Sequence, residues 1–310
     1  MITRVQEKVH EESAETDVRS TSENRKTLSE IINEAGITFF DANITSHPSK
    51  NSLFHTLKDL KDNPQSLDST EVFTQELWKR FIYNRLVGGN IGKKRFVTTK
   101  DVLREIEKEL ELMSNYMHHQ HVKISGKEKK HKTTSPKTSR LLGSLADYLL
   151  VDNDLVRIAK RNVYSPPDDK NLSMIRKIFS YLEVKKSRKI KIPDSPFSFL
   201  YKPINIPCST DVDLISTAIY EGLYGENGST ALVTNDSGIH RTYKLFLRML
   251  PSAIKVARQN GNSFEYDPIE FAKNLADNPL RTYADYYGGG IFRLIAGKKS
   301  HIEPIVKALS

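Results

Sequence analysis

The sequence predicts an α/β fold: a mainly parallel central sheet flanked by helices. Three observations predict it. Thr230-Ala231-Leu232-Val233-Thr234 is an apolar, β-prone run that stops at the polar turn Asn235-Asp236-Ser237-Gly238 and hands over to a helical pattern. Ile37-Thr38-Phe39-Phe40 behaves alike and ends at Asp41. Between the two, segments with apolar residues at helical spacing alternate with short β-prone runs, as in strands joined by crossover helices. Ligands of such sheets gather outside the carboxyl ends of the strands. Asp41 and Asp236 are expected there.

Composition narrows the class. The 310 residues carry 47 Lys and Arg against 38 Asp and Glu, a net charge of +9, which suits a polyanionic partner without naming one. The length suffices for one large domain with an ample core. A hydrophobic content of 38% and a mean hydropathy of −0.49 predict polar appendages besides. Cys208 is the only cysteine, so a disulfide framework and a cysteine-based zinc site are excluded. No apolar run has the length of a membrane span, and the polar opening Met1-Ile2-Thr3-Arg4 is unlike a secretory signal. An intracellular, cytoplasmic protein is expected.

Along the chain, residues 1–35 read as a polar leader, partly disordered, with a short helix over Lys26–Ala35. A helix over Ser69–Leu86 follows from the stripe Val72, Phe73, Leu77, Phe81 and Ile82, and Gly88-Gly89-Asn90 is expected to break it. Arg95–Thr98 is the next strand. Lys100-Asp101 opens a helix whose apolar positions are Val102, Leu103, Ile106, Leu110 and Met113, with Glu105 near its start.

Residues 118–140 are basic and nearly without apolar side chains, an inserted loop that includes Lys127, Lys129, Lys130 and Lys132. Its four histidines have no apolar frame to hold a metal. Helical patterns resume over 141–161 and 171–184. A second basic cluster, Lys185, Lys186, Arg188 and Lys189, precedes a proline-punctuated connection. Lysine and arginine in both segments would meet nucleic-acid phosphates by counterion release, which gives affinity without sequence choice. Residues 36–250 are expected to form the main domain, and 251–310 a helical C-terminal extension packed on or beside it.

The helix beginning at Ser209 carries two acids. Asp211 shares a face with Leu214, Ile215 and Ala218, whereas Asp213 points roughly 200° away. Asp211 is the stronger candidate for the rim. Four carboxylates from separate segments, Asp41, Glu105, Asp211 and Asp236, are then predicted at one end of the sheet. Neighbouring carboxylates raise each other's pKa, a penalty that divalent cations remove. Hard oxygen donors suit Mg²⁺ or Mn²⁺. One or two such ions among acids can bind a phosphodiester, activate water and stabilise the leaving oxygen.

The quoted pieces, in this order, resemble the PIN-domain nucleases. They are Phe39-Phe40-Asp41-Ala42-Asn43-Ile44, Val97 to Ile106 with Glu105, Asp211 with Ile215 and Ala218, and Leu232-Val233-Thr234-Asn235-Asp236. The resemblance implies a PIN-like three-layer fold with helical insertions and a C-terminal extension. It implies metal-ligand roles for Asp41, Glu105, Asp211 and Asp236, with Asp213 as an extra acid and polar support from Asn43 and Thr234. The activity implied is a Mg²⁺- or Mn²⁺-dependent ribonuclease.

The stretch from Asp41 to Glu105 and the segments before Asp211 are longer than a compact member needs. Two other functions stay open: a catalytically silent PIN-like module binding RNA or a protein, and a DNA-directed, structure-specific nuclease. The expected partner is nucleic acid, RNA before DNA, and no membrane; self-association or a protein partner stays open. Near the C-terminus, Arg281, Tyr283, Tyr286, Tyr287, Phe292 and Arg293 mix rings and cations in a way that suits stacking on single-stranded bases.

Overall fold

A computed structural model describes residues 25–45, 75, 79, 83, 85, 87–91, 93–108, 110–111, 147, 150–151, 153–186, 188–190, 204–206, 208–259, 268–298 and 302–303. The chain is α/β. Six strands form one sheet in the order β1-β8-β7-β6-β2-β3: β1 (Arg25–Thr27), β2 (Ile37–Phe40), β3 (Phe96–Val97), β6 (Thr230–Val233), β7 (Arg281–Ala284) and β8 (Ile291–Ala296). A separate antiparallel pair is formed by β4 (Arg188–Ile190) and β5 (Ile204–Ile206).

The strands of the sheet's centre are apolar on both faces, which is why β2 and β6 are buried at every position. They pair in parallel, Phe39 opposite Leu232 and Phe40 opposite Val233. β3 and β7 extend the parallel part on either side. The sheet as a whole is mixed rather than mainly parallel, because β8 turns back along β7 and β1 pairs antiparallel with β8. A tight turn joins only antiparallel neighbours, and the sequence places one, Tyr286 to Gly290, between β7 and β8. Gly288 and Gly290 adopt φ values of 66° and 79° there, a left-handed backbone that side chains resist.

Three further expectations need correction. Residues 281–296 are not part of a helical extension beside the domain; they supply two strands of its central sheet. Nor does Gly88-Gly89-Asn90 break its helix, which continues through 87–91. Gly88 packs where a Cβ would lie 2.8 Å from Leu155 Cδ2, so close packing rather than a chain break accounts for it. Nor is the whole of 1–35 a leader: Arg25–Thr27 joins the central sheet, and Leu28, Ile31 and Ile32 of the helix after it are buried. Residues 1–24, the loop 118–140 and Lys127, Lys129, Lys130 and Lys132 lie outside the described residues.

The helices follow their sequence signals. α1 (Leu28–Glu34) starts at a capping box in which Thr27 and Glu30 satisfy each other's backbone N–H groups. α2 occupies 100–108, after β3. α3 (Lys170–Lys186), α4 (Ser209–Tyr224) and α5 (Ser237–Gln259) pack on one another, and α4 also packs on β6. Phe179 of α3 stacks on Phe246 of α5 at 4.5 Å between centroids, and Phe40 of β2 meets Phe96 of β3 at 4.6 Å. α6 (Pro268–Asp277) leads to β7. Among the described residues, no helix is long and apolar enough to cross a membrane.

Candidate active site

The parallel strands β3, β2, β6 and β7 all end at one edge of the sheet, and polar residues follow each of them. Asp41 comes directly after β2 and is buried, 5% exposed. Its Oδ1 accepts from Ala42 N–H at 2.7 Å and its Oδ2 from the Thr234 hydroxyl at 2.8 Å. The same hydroxyl oxygen accepts from Asp236 N–H at 2.9 Å. Asn43 Oδ1 accepts from Asn235 N–H at 2.8 Å, which locks the segment after β2 to the segment after β6. Asn43 and Thr234 therefore tie the two strand ends together.

Asp211 lies in the first turn of α4, the end nearest the carboxyl end of β6, because the helix must run back before the chain enters that strand. Its N–H donates to Cys208 Sγ at 3.4 Å, with Cys208 as the N-cap. An acid in a helix's first turn is favoured by the helix dipole. Asp236 stands before α5 and caps it, Oδ1 accepting from Gly238 N–H at 2.6 Å. Glu105 is on α2, with an exposed side chain.

The four acids share one electrostatic environment. Burial, then the charge of Asp211, and further the charges of Asp236 and Glu105 push the Asp41 carboxyl up to about 8, against the hydrogen bond from Thr234. Burial, then Asp236 and later Glu105, push Asp211 up to about 7. Burial, followed by the charge of Asp211, raises the Cys208 thiol to about 12, so it is no thiolate at neutral pH. Asp213 stands apart. It pairs with Arg176 of α3.

Hard carboxylate oxygens make this donor set fit Mg²⁺ or Mn²⁺ in kind. The enclosure is looser: among the described residues, no three His, Cys, Asp or Glu side chains are grouped closely enough to hold an ion. Ligation would need the carboxylates to draw inward. Of the basic candidates, Lys185 and Lys186 end α3, Arg188 and Lys189 belong to β4, and the others lie outside the described residues.

A fifth acid, not among the candidates above, stands at this edge. Asp285 follows β7, is 2% exposed, and accepts from Gly289 N–H at 3.2 Å and Gly290 N–H at 2.6 Å. Asn235 bridges to it, taking Asp285 N–H at 2.8 Å while its Nδ2 donates to Tyr83 OH at 3.2 Å. The signal was present, since Arg281-Thr282-Tyr283-Ala284-Asp285 is a β-prone run ending in an acid, like the run before Asp41. His240 is buried beneath the same segment, with Nε2 3.1 Å from Thr234 O and Nδ1 3.0 Å from Thr282 Oγ1. Burial lowers it to about 4, so it is neutral at pH 7 and braces the Thr234 carbonyl.

In comparisons with known proteins, no family model, no curated protein and no solved structure matches this chain.

Proposed function

We propose that the chain is a Mg²⁺- or Mn²⁺-dependent nuclease of PIN-like, three-layer architecture that hydrolyses phosphodiester bonds, in RNA before DNA. One observation carries the proposal: carboxylates from four separate segments, Asp41, Glu105, Asp211 and Asp236, feel one another's charge at the carboxyl ends of parallel strands. A fold has no stability reason to gather like charges in partly buried surroundings, because each raises the cost of ionising the next. A cation-binding role explains the arrangement. When bound, the metal supplies Lewis acidity that activates water and offsets charge on the leaving oxygen.

In this scheme Asp41, Asp211, Asp236 and Glu105 are the oxygen donors. Thr234 orients Asp41 and the Asp236 backbone together, and Asn43 holds the two strand ends at fixed spacing. The net positive charge of the chain draws the polyanion in. Asp213, paired with Arg176, has no part in the donor set.

A second reading has its own observation. The looseness of the acid group, with no three side chains able to enclose an ion among the described residues, favours a catalytically silent module that binds RNA or a protein. Cleavage of end-labelled single-stranded RNA and DNA in Mn²⁺, Mg²⁺ or chelator separates the two. The nuclease requires metal-dependent products that Asp236→Asn does not form; binding without cleavage by the wild type supports the silent module.

A further inference from the structure

The turn between β7 and β8 is built for water contact with rings. Among the described residues, the large apolar side chains most open to solvent are Leu150, Tyr286, Tyr287 and Ile291, and the last three belong to this one hairpin. Tyr287 is 78% exposed. A ring this open adds little to the core, so folding alone does not explain Tyr287.

Each ring has a cation near it. The Arg293 guanidinium lies over the Tyr287 ring, 5.3 Å from its centroid. Arg293 sits directly opposite Arg25 in the β1–β8 pairing, and both side chains are exposed. Opposite residues of an antiparallel pair share a face, and like charges placed so are destabilising. A polyanion across that face turns the repulsion into attraction.

The turn also adjoins the acid edge. It begins right after Asp285, the Tyr286 ring meets the His240 ring edge-on at 6.2 Å between centroids, and the Tyr286 hydroxyl feels the charges of Asp236 and Arg241. We propose that the β7–β8 turn is a platform for single-stranded nucleic acid, on which Tyr286 and Tyr287 stack bases while Arg293 and Arg25 take backbone phosphates. Stacking suits this chemistry because every base presents a π-face, so the platform holds a strand without selecting its sequence. Duplex, whose bases are already stacked on each other, gains only the charge contacts. The platform stands independently of whether the neighbouring acids cut.

The test is fluorescence anisotropy of a labelled 12-nucleotide oligouridylate, the same length of duplex RNA, and an abasic sugar–phosphate oligomer, all in chelator so that nothing is cleaved. Tyr287→Ala is expected to weaken oligouridylate binding about 5- to 150-fold, as for loss of one stacked base. Tyr287→Phe keeps the ring and stays within about 2-fold of wild type. The abasic oligomer binds Tyr287→Ala and wild type equally. Arg25→Gln with Arg293→Gln weakens all three ligands and flattens the salt dependence of single-strand binding by a slope of about 1.4, or 0.7 per phosphate contact.

Equal oligouridylate affinity for Tyr287→Ala and wild type overturns the platform, as does a wild type that binds no oligonucleotide, the result expected if the turn docks a protein. A wild type that binds through Tyr287 yet never cuts in Mn²⁺ retains the platform and ends the nuclease reading. Cutting by a wild type whose affinity ignores Tyr287 does the reverse.

Discussion

The Thr234 hydroxyl donates a 2.8 Å hydrogen bond to Asp41 Oδ2, tying together two strand ends that are 193 residues apart in the chain. Because its oxygen also accepts from Asp236 N–H, one side chain sets the spacing of two of the proposed donors. Thr234→Val keeps the shape and removes both bonds. It is expected to lower cleavage about 10- to 100-fold, the usual cost of losing a group that orients a metal ligand. It also costs about 1–3 kcal/mol of stability, from the buried groups left unpaired. Thr234→Ser retains both bonds and should restore most of the activity, which separates positioning from bulk.

Asp41 and Asp211 ionise near pH 8 and pH 7 in the folded chain against an ordinary 3.8. A carboxyl group raised on folding contributes stability below its unfolded pKa and loses it as pH rises through the folded value. In chelator, therefore, thermal stability should fall between about pH 4 and pH 8 as these two acids charge. Mn²⁺ should raise the melting temperature far more at pH 8 than at pH 5, since protons compete for the same oxygens. Melting curves at both pH values, with and without Mn²⁺, check this; a Mn²⁺ effect that ignores pH contradicts it.

Asp41→Asn removes the most deeply buried of the four charges. In chelator at pH 8 it is expected to stabilise the fold by about 1–2 kcal/mol, a few degrees of melting temperature. The same variant should lose the stabilisation that Mn²⁺ gives the wild type. Few single substitutions stabilise a fold while abolishing its activity, so scanning calorimetry paired with the cleavage assay makes a demanding check.

Asp213 is predicted to be expendable. Its partner Arg176 is 44% exposed at the side chain, and ion pairs open to solvent contribute about 0–1 kcal/mol. Asp213→Asn should leave cleavage within about 2-fold of wild type, whereas Asp211→Asn, two residues earlier on the same helix, should remove it. Equal losses in the two would mean that α4 presents its other face to the site.

Much of this edge was legible in the sequence because its signals are local. A β-prone run ending in an acid marks Asp41 and Asp236, and helical periodicity ranks Asp211 above Asp213 without deciding between them. The long-range partners were not legible. Nothing local says that Arg25–Thr27 pairs with Ile291–Arg293, since that edge pairing depends on how the whole sheet closes. The mixed sheet was missed for the same reason: the apolar runs identify strands but not their direction. Glycines misled at 88–90, where packing against Leu155 overrode a weak helix preference. Asp285 shows an omission of another sort, the right signal in a segment already assigned to a helix.

The most direct test of the central claim is single-turnover cleavage of labelled single-stranded RNA in Mn²⁺ by the wild type, Asp41→Asn, Asp236→Asn and the double variant. Acids that act as one site lose activity as a unit, so each single change should cost at least about 100-fold and the double change little more than either. A wild type that fails to cut, or singles that keep near-normal rates, would contradict a shared metal site built from these four carboxylates.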